Sequence, residues 1–268
     1  MHLLSRGTNR YTKKYREDTM RKGLLLTERD HELLRHLSLG PCTVGNIFKY
    51  FFNTADSNPK TRERVMQRRL RKLEQEDLIR SISSPIVSDR IYALTSHSAS
   101  IVANDQGIEL SNVWVNPNVK NIKHDLYVAG AAKKIHRESE ELKLYKLTFL
   151  QFEYGLRRIE KLRKGVYLPD IIFAIQGLDN KHILDFNLEV DCGTISRKDF
   201  LGKIKYFQDT PLVIINTQKR LSLLKSYLKA ARIAKHVYLT TFEEFFYTAL
   251  PECNWHTNFS ENPIKLTL

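Results

Sequence analysis

The chain has 268 residues, 42% of them hydrophobic and 10% aromatic, enough for one large or two modest cores and an argument against global disorder. Its formal charge of +13, from 43 Lys and Arg against 30 Asp and Glu, favours a polyanionic partner, nucleic acid before an anionic membrane surface. Cys42, Cys192 and Cys253 are too few and too far apart for a disulfide framework or a cysteine-rich zinc site, and they suit a reducing cytoplasm. No run approaches the roughly 18 apolar residues that span a bilayer, so no membrane insertion is expected. The motifs of nucleotide hydrolysis and of zinc proteases, a Walker loop, G-x-G-x-x-G and H-E-x-x-H, do not occur.

Residues 1–22 are polar and basic and read as a flexible arm; no apolar stretch follows to make them a secretory signal. LLLTERDHELLRHLS carries a helix start at Thr27, with Leu33, Leu34 and Leu37 on one face, and Gly40–Pro41 ends it. TVGNIFKYFF reads as a second short helix and NTADSNP as a turn. In PKTRERVMQRRLRKLEQEDLI, Met66, Leu70 and Leu73 recur at helical spacing and mark a buried stripe. Arg64, Arg68 and Arg71 fall on the opposite face, with Lys60 and Thr61 near its N-terminal end. Such a helix suits a major groove, although a solvated basic face looks the same in isolation. LIRSI and RIYALT flank a Ser/Pro/Asp turn and read as a hairpin. Helix, helix, basic helix, hairpin is the order of a winged helix-turn-helix over residues 23–100, with Arg80 and Arg90 near the wing to meet phosphates or the minor groove.

Residues 101–119 read as a linker, and a mixed α/β pattern follows over 120–250, with a tail at 251–268. IKHDLYVAGAAKKIHRESEE reads as a helix. LYKLTFLQFEYG, VYLPDIIFAI and HILDFNLEVD read as strands, SRKDFLGKIKYFQD as a helix, PLVIINT as a buried strand, RLSLLKSYLKAARI as a helix and HVYLTT as a last strand. The expected class is α/β (α+β overall), an N-terminal winged helix-turn-helix followed by an α/β sandwich.

In HILDFNLEVD, Leu184, Phe186, Leu188 and Val190 alternate on one face, and Asp185, Asn187, Glu189 and Asp191 occupy the other. A wet edge strand accommodates this pattern. A central strand instead buries carboxylates, at a cost that Mg²⁺ or Mn²⁺ offsets. Asp170, at the start of the neighbouring strand, adds a third acid, and a metal held there would polarise a phosphodiester. On the helix over 197–208, Phe200, Ile204 and Phe207 point inward and Lys203 sits at their flank. From there it either reaches back to the carboxylates or stays at the surface. His124 shares a face with Val128, Ala131 and Ile135; it reads as a hydrogen-bonded core residue or as a member of the site.

LTERDHELLRHLS, RRLRKLEQEDLI and IYALT, followed by HDLYV from His124, LPD at 168–170, LEVDCGT at 188–194 and KIKY from Lys203, together resemble the replication-relaxation proteins. The likeness covers roughly residues 24–245, and the order and spacing of these short motifs carry it. The group includes mobilisation protein C-like plasmid relaxases, whose catalytic domain is similar to the PD-(D/E)XK restriction-endonuclease fold. The resemblance implies a metal-dependent endodeoxyribonuclease that nicks DNA at an origin of transfer or replication. Its partners would be double-stranded DNA, then single-stranded DNA, relaxosome and coupling proteins. Asp170, Glu189 and Asp191 would be the metal ligands, Thr194 a supporting polar group, and Lys203 a relocated motif lysine, because Asp191 stands where the restriction-type motif has its lysine. That departure leaves an alternative: a non-catalytic winged-helix regulator or replication accessory with a degenerate nuclease-like domain. The histidine triad of the tyrosine relaxases has no match, and nothing selects Tyr167 or Tyr206 as a nucleophile.

Overall fold

The computed structural model describes residues 24–53, 58–115, 117–160, 166–179 and 182–267. The expected basic arm, residues 54–57 of the expected turn, and Asn116 of the expected linker lie outside them.

Helix α1, Glu28–Ser38, begins where the Thr27 backbone N–H and hydroxyl both donate to Asp30 Oδ2, at 2.7 and 2.6 Å, and it buries Leu33, Leu34 and Leu37. After a two-residue strand β1, Cys42–Thr43, helix α2, Val44–Ile47, runs into a π-helical turn over Phe48–Phe52. Helix α3, Pro59–Gln75, has proline in its first turn and an Asn58 side chain that accepts from Lys60 N at 2.9 Å. Its Met66, Leu70 and Leu73 are buried as the spacing predicts. Arg69 ties α3 to α1: its Nε donates to Asp30 Oδ1 at 2.8 Å, and Nη2 reaches the second Asp30 oxygen and the Leu25 carbonyl. Strands β2, Ile79–Ser84, and β3, Val87–Leu94, form the expected hairpin, and β1 pairs with the far side of β3 to give an antiparallel sheet in the order β1-β3-β2.

The expected linker needs correcting. Residues Ser96–Gln106 form helix α4, capped by Thr95, whose hydroxyl accepts from Ser98 N at 3.2 Å, and closed by Gly107 at φ +65°. Ala99, Val102 and Ala103 pack into the same core as α1 and α3, and Val113 and Val115 join them, so the first structural unit extends past residue 100.

The second unit opens with helix α5, Ile122–Glu140. Strand β4, Lys146–Phe152, gives way to helix α6, Glu153–Glu160, where a strand was expected to continue. Then come β5, Ile171–Gln176, β6, Ile183–Asp191, helix α7, Arg197–Tyr206, β7, Thr210–Ile215, helix α8, Gln218–Ala230, β8, Tyr238–Thr241, helix α9, Phe242–Tyr247, and β9, His256–Thr257. The strands make one six-stranded mixed sheet in the order β4-β5-β6-β7-β8-β9, antiparallel except for the parallel pairs β6–β7 and β7–β8. One face carries Leu188, Val190 and Ile214 against α5 and α9; the other carries Val213, Ile215 and Leu239 against α7 and α8. This is a mixed α/β architecture with helices on both faces of the sheet. The expected tail is a working part of it: Cys253 and Trp255 are fully buried and β9 pairs with β8.

The two units touch closely. Gly40, at φ +119°, lies so near α5 that a Cβ there would meet Ala129 Cβ at 2.6 Å. The Trp114 amide donates to Ser38 O at 2.8 Å, and Lys133 Nζ donates to the Gly40 and Pro41 carbonyls at 3.1 and 2.9 Å. Among the described residues no helix is long and apolar enough to cross a membrane.

Candidate functional site

Strand β6 is central, so both of its faces are covered. Leu188 and Val190 enter the core beneath α5, and the alternation turns Glu189 and Asp191 toward α7 and α8. Both acids are buried, at 4% and 2% exposure. Ile171 pairs with Leu188 in the antiparallel register, which sets Asp170, one residue earlier, opposite Glu189. Asp170 is itself buried and its Oδ2 accepts the Val190 amide at 2.7 Å. The wet-edge reading of this strand is therefore excluded: these carboxylates are inside the molecule and need compensation.

Two cations supply it. Lys203 reaches inward from the flank of α7 and its Nζ donates to Glu189 Oε1 at 2.5 Å. His124, at the start of α5, places Nε2 3.3 Å from Asp170 Oδ2 and Nδ1 3.8 Å from Asp125 Oδ1. The structure thus brings together Asp170, Glu189, Lys203 and His124, and His124 belongs to the site instead of serving as a core histidine. Glu189 Oε2 is buried with no hydrogen-bond partner among the described residues.

Asp191, the third acid of the expected set, is held by other partners. Its Oδ2 accepts from Arg220 Nε at 2.7 Å, and its Oδ1 from Gly193 N at 2.8 Å. Gly193 sits at φ +95° with the Asn216 side chain 2.8 Å from where a Cβ would stand, so the turn that satisfies Asp191 requires glycine. A buried aspartate needs a counter-charge, and Arg220, from α8, supplies it. Among the described residues no three His, Cys, Asp or Glu side chains are grouped as a metal cluster. Arg220 was invisible in the sequence because its partner lies 29 positions away. Thr194 is exposed on the turn after β6. Tyr206 is exposed, and the Tyr167 hydroxyl faces Asp199 at 3.3 Å, so neither tyrosine stands with the buried acids.

The electrostatics follow from burial and pairing. Burial, reinforced by the neighbouring Asp170 charge, pushes the Glu189 carboxyl up to about 8, with Lys203 pulling the other way. Burial also opposes the Asp170 charge, but the His124 hydrogen bond and charge, Lys203 and the Val190 amide outweigh it and hold Asp170 below the ordinary range. For His124, the hydrogen bonds to Asp125 and Asp170 overcome burial and raise it to about 11. Lys203 is likewise raised, because Glu189 and Asp170 outweigh its burial.

A comparison of the chain with protein-family models, curated proteins and solved structures finds no match. The site must be read from its own chemistry. A carboxylate pair with one oxygen unpartnered, one member reluctant to ionise and a lysine at its edge suits a hard divalent cation. Mg²⁺ in particular binds through one or two carboxylates and keeps several waters. Asp170 and Glu189 are the residues that would hold it.

The second candidate surface is on the first unit. Lys60, Thr61, Arg64, Arg68 and Arg71 on α3 and Arg90 on β3 are all exposed. Pro85 and Ile86 are exposed at the hairpin tip, whereas Arg80, expected near the wing, is half-buried at the base of the hairpin, paired with Ala93. Helical spacing assigned the outward face of α3, because the buried Met66, Leu70 and Leu73 fix which side of that helix turns outward.

Proposed function

We propose that this protein binds double-stranded DNA through a winged helix-turn-helix and nicks it at an origin of a plasmid or other mobile element, using a restriction-endonuclease-like site. The observation that carries the reading is the buried Asp170–Glu189 pair with Lys203 at its edge, in a chain of formal charge +13. The exposed arginines of α3 would lie in the major groove and the β2–β3 hairpin would meet the backbone beside it.

A divalent cation on Asp170 and Glu189 would supply Lewis-acid polarisation of a phosphodiester and a more acidic bound water. The chain's own residues do the rest. Asp170 is kept ionised by His124 and the Val190 amide, so one ligand is charged and oriented before DNA arrives. Lys203 presents a fixed positive charge where negative charge builds on the phosphate. The backbone contacts of the first unit hold the duplex in register.

The test is incubation of purified protein with Mg²⁺ or Mn²⁺ and a supercoiled plasmid bearing its own origin, with Glu189→Ala as control. Conversion to the open circle by the wild type and not by the variant is expected. A plasmid left wholly supercoiled by the wild type would count against nicking.

One observation favours a second reading. His124 and Lys203 already balance the two carboxylates without a metal, as a degenerate nuclease-like domain in a DNA-binding regulator would allow. In that case Asp170→Ala and Glu189→Ala leave biological activity intact, and Arg64→Ala with Arg68→Ala abolishes it.

A further inference from the structure

Where the two units meet, a cleft of about 780 Å³ opens between α1 and the π-helical turn on one side and α5 and α9 on the other. It shares no residue with the Asp170–Glu189 site. Three kinds of group converge on it. Tyr50, Tyr127 and Phe246 line it with aromatic rings. Tyr50 is half-exposed and leans against the His36 ring at 5.6 Å; Tyr127 and Phe246 stand 6.3 Å apart. Arg35 and Arg137 line it as exposed cations, Arg35 sharing its charge with Asp105 at 3.5 Å, and Glu32 and Glu141 are the carboxylates of the lining. Lys133 adds a further cation, fixed to the Gly40 and Pro41 carbonyls. Finally, the Gln106 side-chain Nε2 is buried in the lining with no hydrogen-bond partner among the described residues.

A ligand that answers all three has a flat ring, an anionic group and a hydrogen-bond acceptor. We propose that this cleft binds a nucleotide, its base among the rings of Tyr50, Tyr127 and Phe246, its phosphate at Arg35 and Arg137, and an acceptor on Gln106. Rings take bases of any sequence because every base has a π-face, and arginine adds both charge and stacking. A dry apolar ligand leaves the cations and Gln106 unanswered, and an acidic peptide leaves the rings unused. The nucleotide is either free in solution or one unit of a single strand, and the same groups serve both. The assignment stands apart from nicking, since it uses none of Asp170, Glu189 or Lys203.

The experiment uses the full chain and two probes. A fluorescein-labelled short oligothymidylate is followed by anisotropy, and the four deoxynucleoside monophosphates are titrated as competitors. The variant Tyr50→Ala with Arg137→Glu changes two exposed side chains and is checked for an unchanged unfolding midpoint; Arg64→Ala with Arg68→Ala is the duplex-face control. Loss of oligothymidylate affinity by about tenfold or more in the cleft variant, with duplex binding retained, is the expected result. Displacement by a monophosphate identifies a free nucleotide as the occupant, and oligonucleotide binding without such displacement identifies a strand. Wild-type protein that binds neither probe, or a cleft variant that binds both as the wild type does, overturns the proposal. So does a loss confined to the Arg64/Arg68 control.

Discussion

Lys203 Nζ and Glu189 Oε1 meet at 2.5 Å across the gap between helix α7 and strand β6, from positions 14 residues apart. The contact places a cation on a carboxylate that burial disfavours, beside a second carboxylate already claimed by His124. Replacing Lys203 with methionine keeps the length of the side chain and removes the charge. Nicking of supercoiled DNA should fall about 10²–10³-fold, as when one preorganised charge is lost from a transition state. A timed gel assay against Lys203→Arg, which keeps the charge, checks it.

Metal affinity should depend on pH with a definite sign. Glu189 releases its proton only near pH 8, and a cation binds the ionised form, so binding expels a proton at any lower pH. Apparent Mn²⁺ affinity should rise with pH, roughly tenfold per unit for one proton, and level off above about 8. Calorimetry from pH 6 to 9 measures this. A flat profile in the wild type would count against a protonated Glu189 as the ligand.

Arg220→Ala should destabilise the fold by about 3–5 kcal/mol, because it strands the buried Asp191 carboxylate without its counter-charge. Denaturant unfolding reads the loss. Asp191→Asn, in contrast, should leave Mn²⁺ binding within about twofold of wild type, since Asp191 faces Arg220 and the Gly193 amide. A large loss of metal affinity in that variant would return Asp191 to the ligand set.

Arg64→Ala with Arg68→Ala should weaken duplex binding and reduce the slope of log affinity against log salt by about 2, roughly one for each phosphate contact removed. Both side chains are exposed on α3, so the unfolding midpoint should not move. Arg69→Ala should do the reverse, because Arg69 holds Asp30 and does not face solvent freely.

Gly202→Ala should lower activity through position alone. A Cβ at Gly202 would stand 2.7 Å from the Tyr167 ring, next in sequence to Lys203. Either the Tyr167 ring swings away, breaking its contact with Asp199, or the helix shifts, at a cost of up to about 1–3 kcal/mol. Adding Tyr167→Ala removes the obstacle, and recovery of both midpoint and nicking in the double variant would trace the defect to that contact.

How much of this was legible in the sequence depended on the range of the interaction. The Lys203 flank position and the outward Arg64–Arg68–Arg71 face followed from helical angles, and the shared face of Glu189 and Asp191 from strand alternation, but that this face is buried followed only from the central place of β6 in the sheet. Helix α4 was missed because SHSASIVANDQ is rich in Ser and Ala and carries no strong apolar stripe. Helix α6 was missed because FEYG continues a strand-like run, and the ordered C-terminal segment because Trp255 and Cys253 reveal their burial only through tertiary packing. The split between Glu189 and Asp191 was the least legible feature. Two acids on one face of one strand are equivalent by alternation, and only the helices above them, one bearing Lys203 and the other Arg220, tell them apart.

The missing Cβ at Gly40 lets the end of α1 press onto Ala129 of α5, the helix that begins beside His124. On the proposed function, this contact would set the span between the surface that would grip a duplex and the carboxylates that would cut it, as a ruler does. A cutter built that way would break the strand at one constant offset from the sequence it holds, whatever bases lie between.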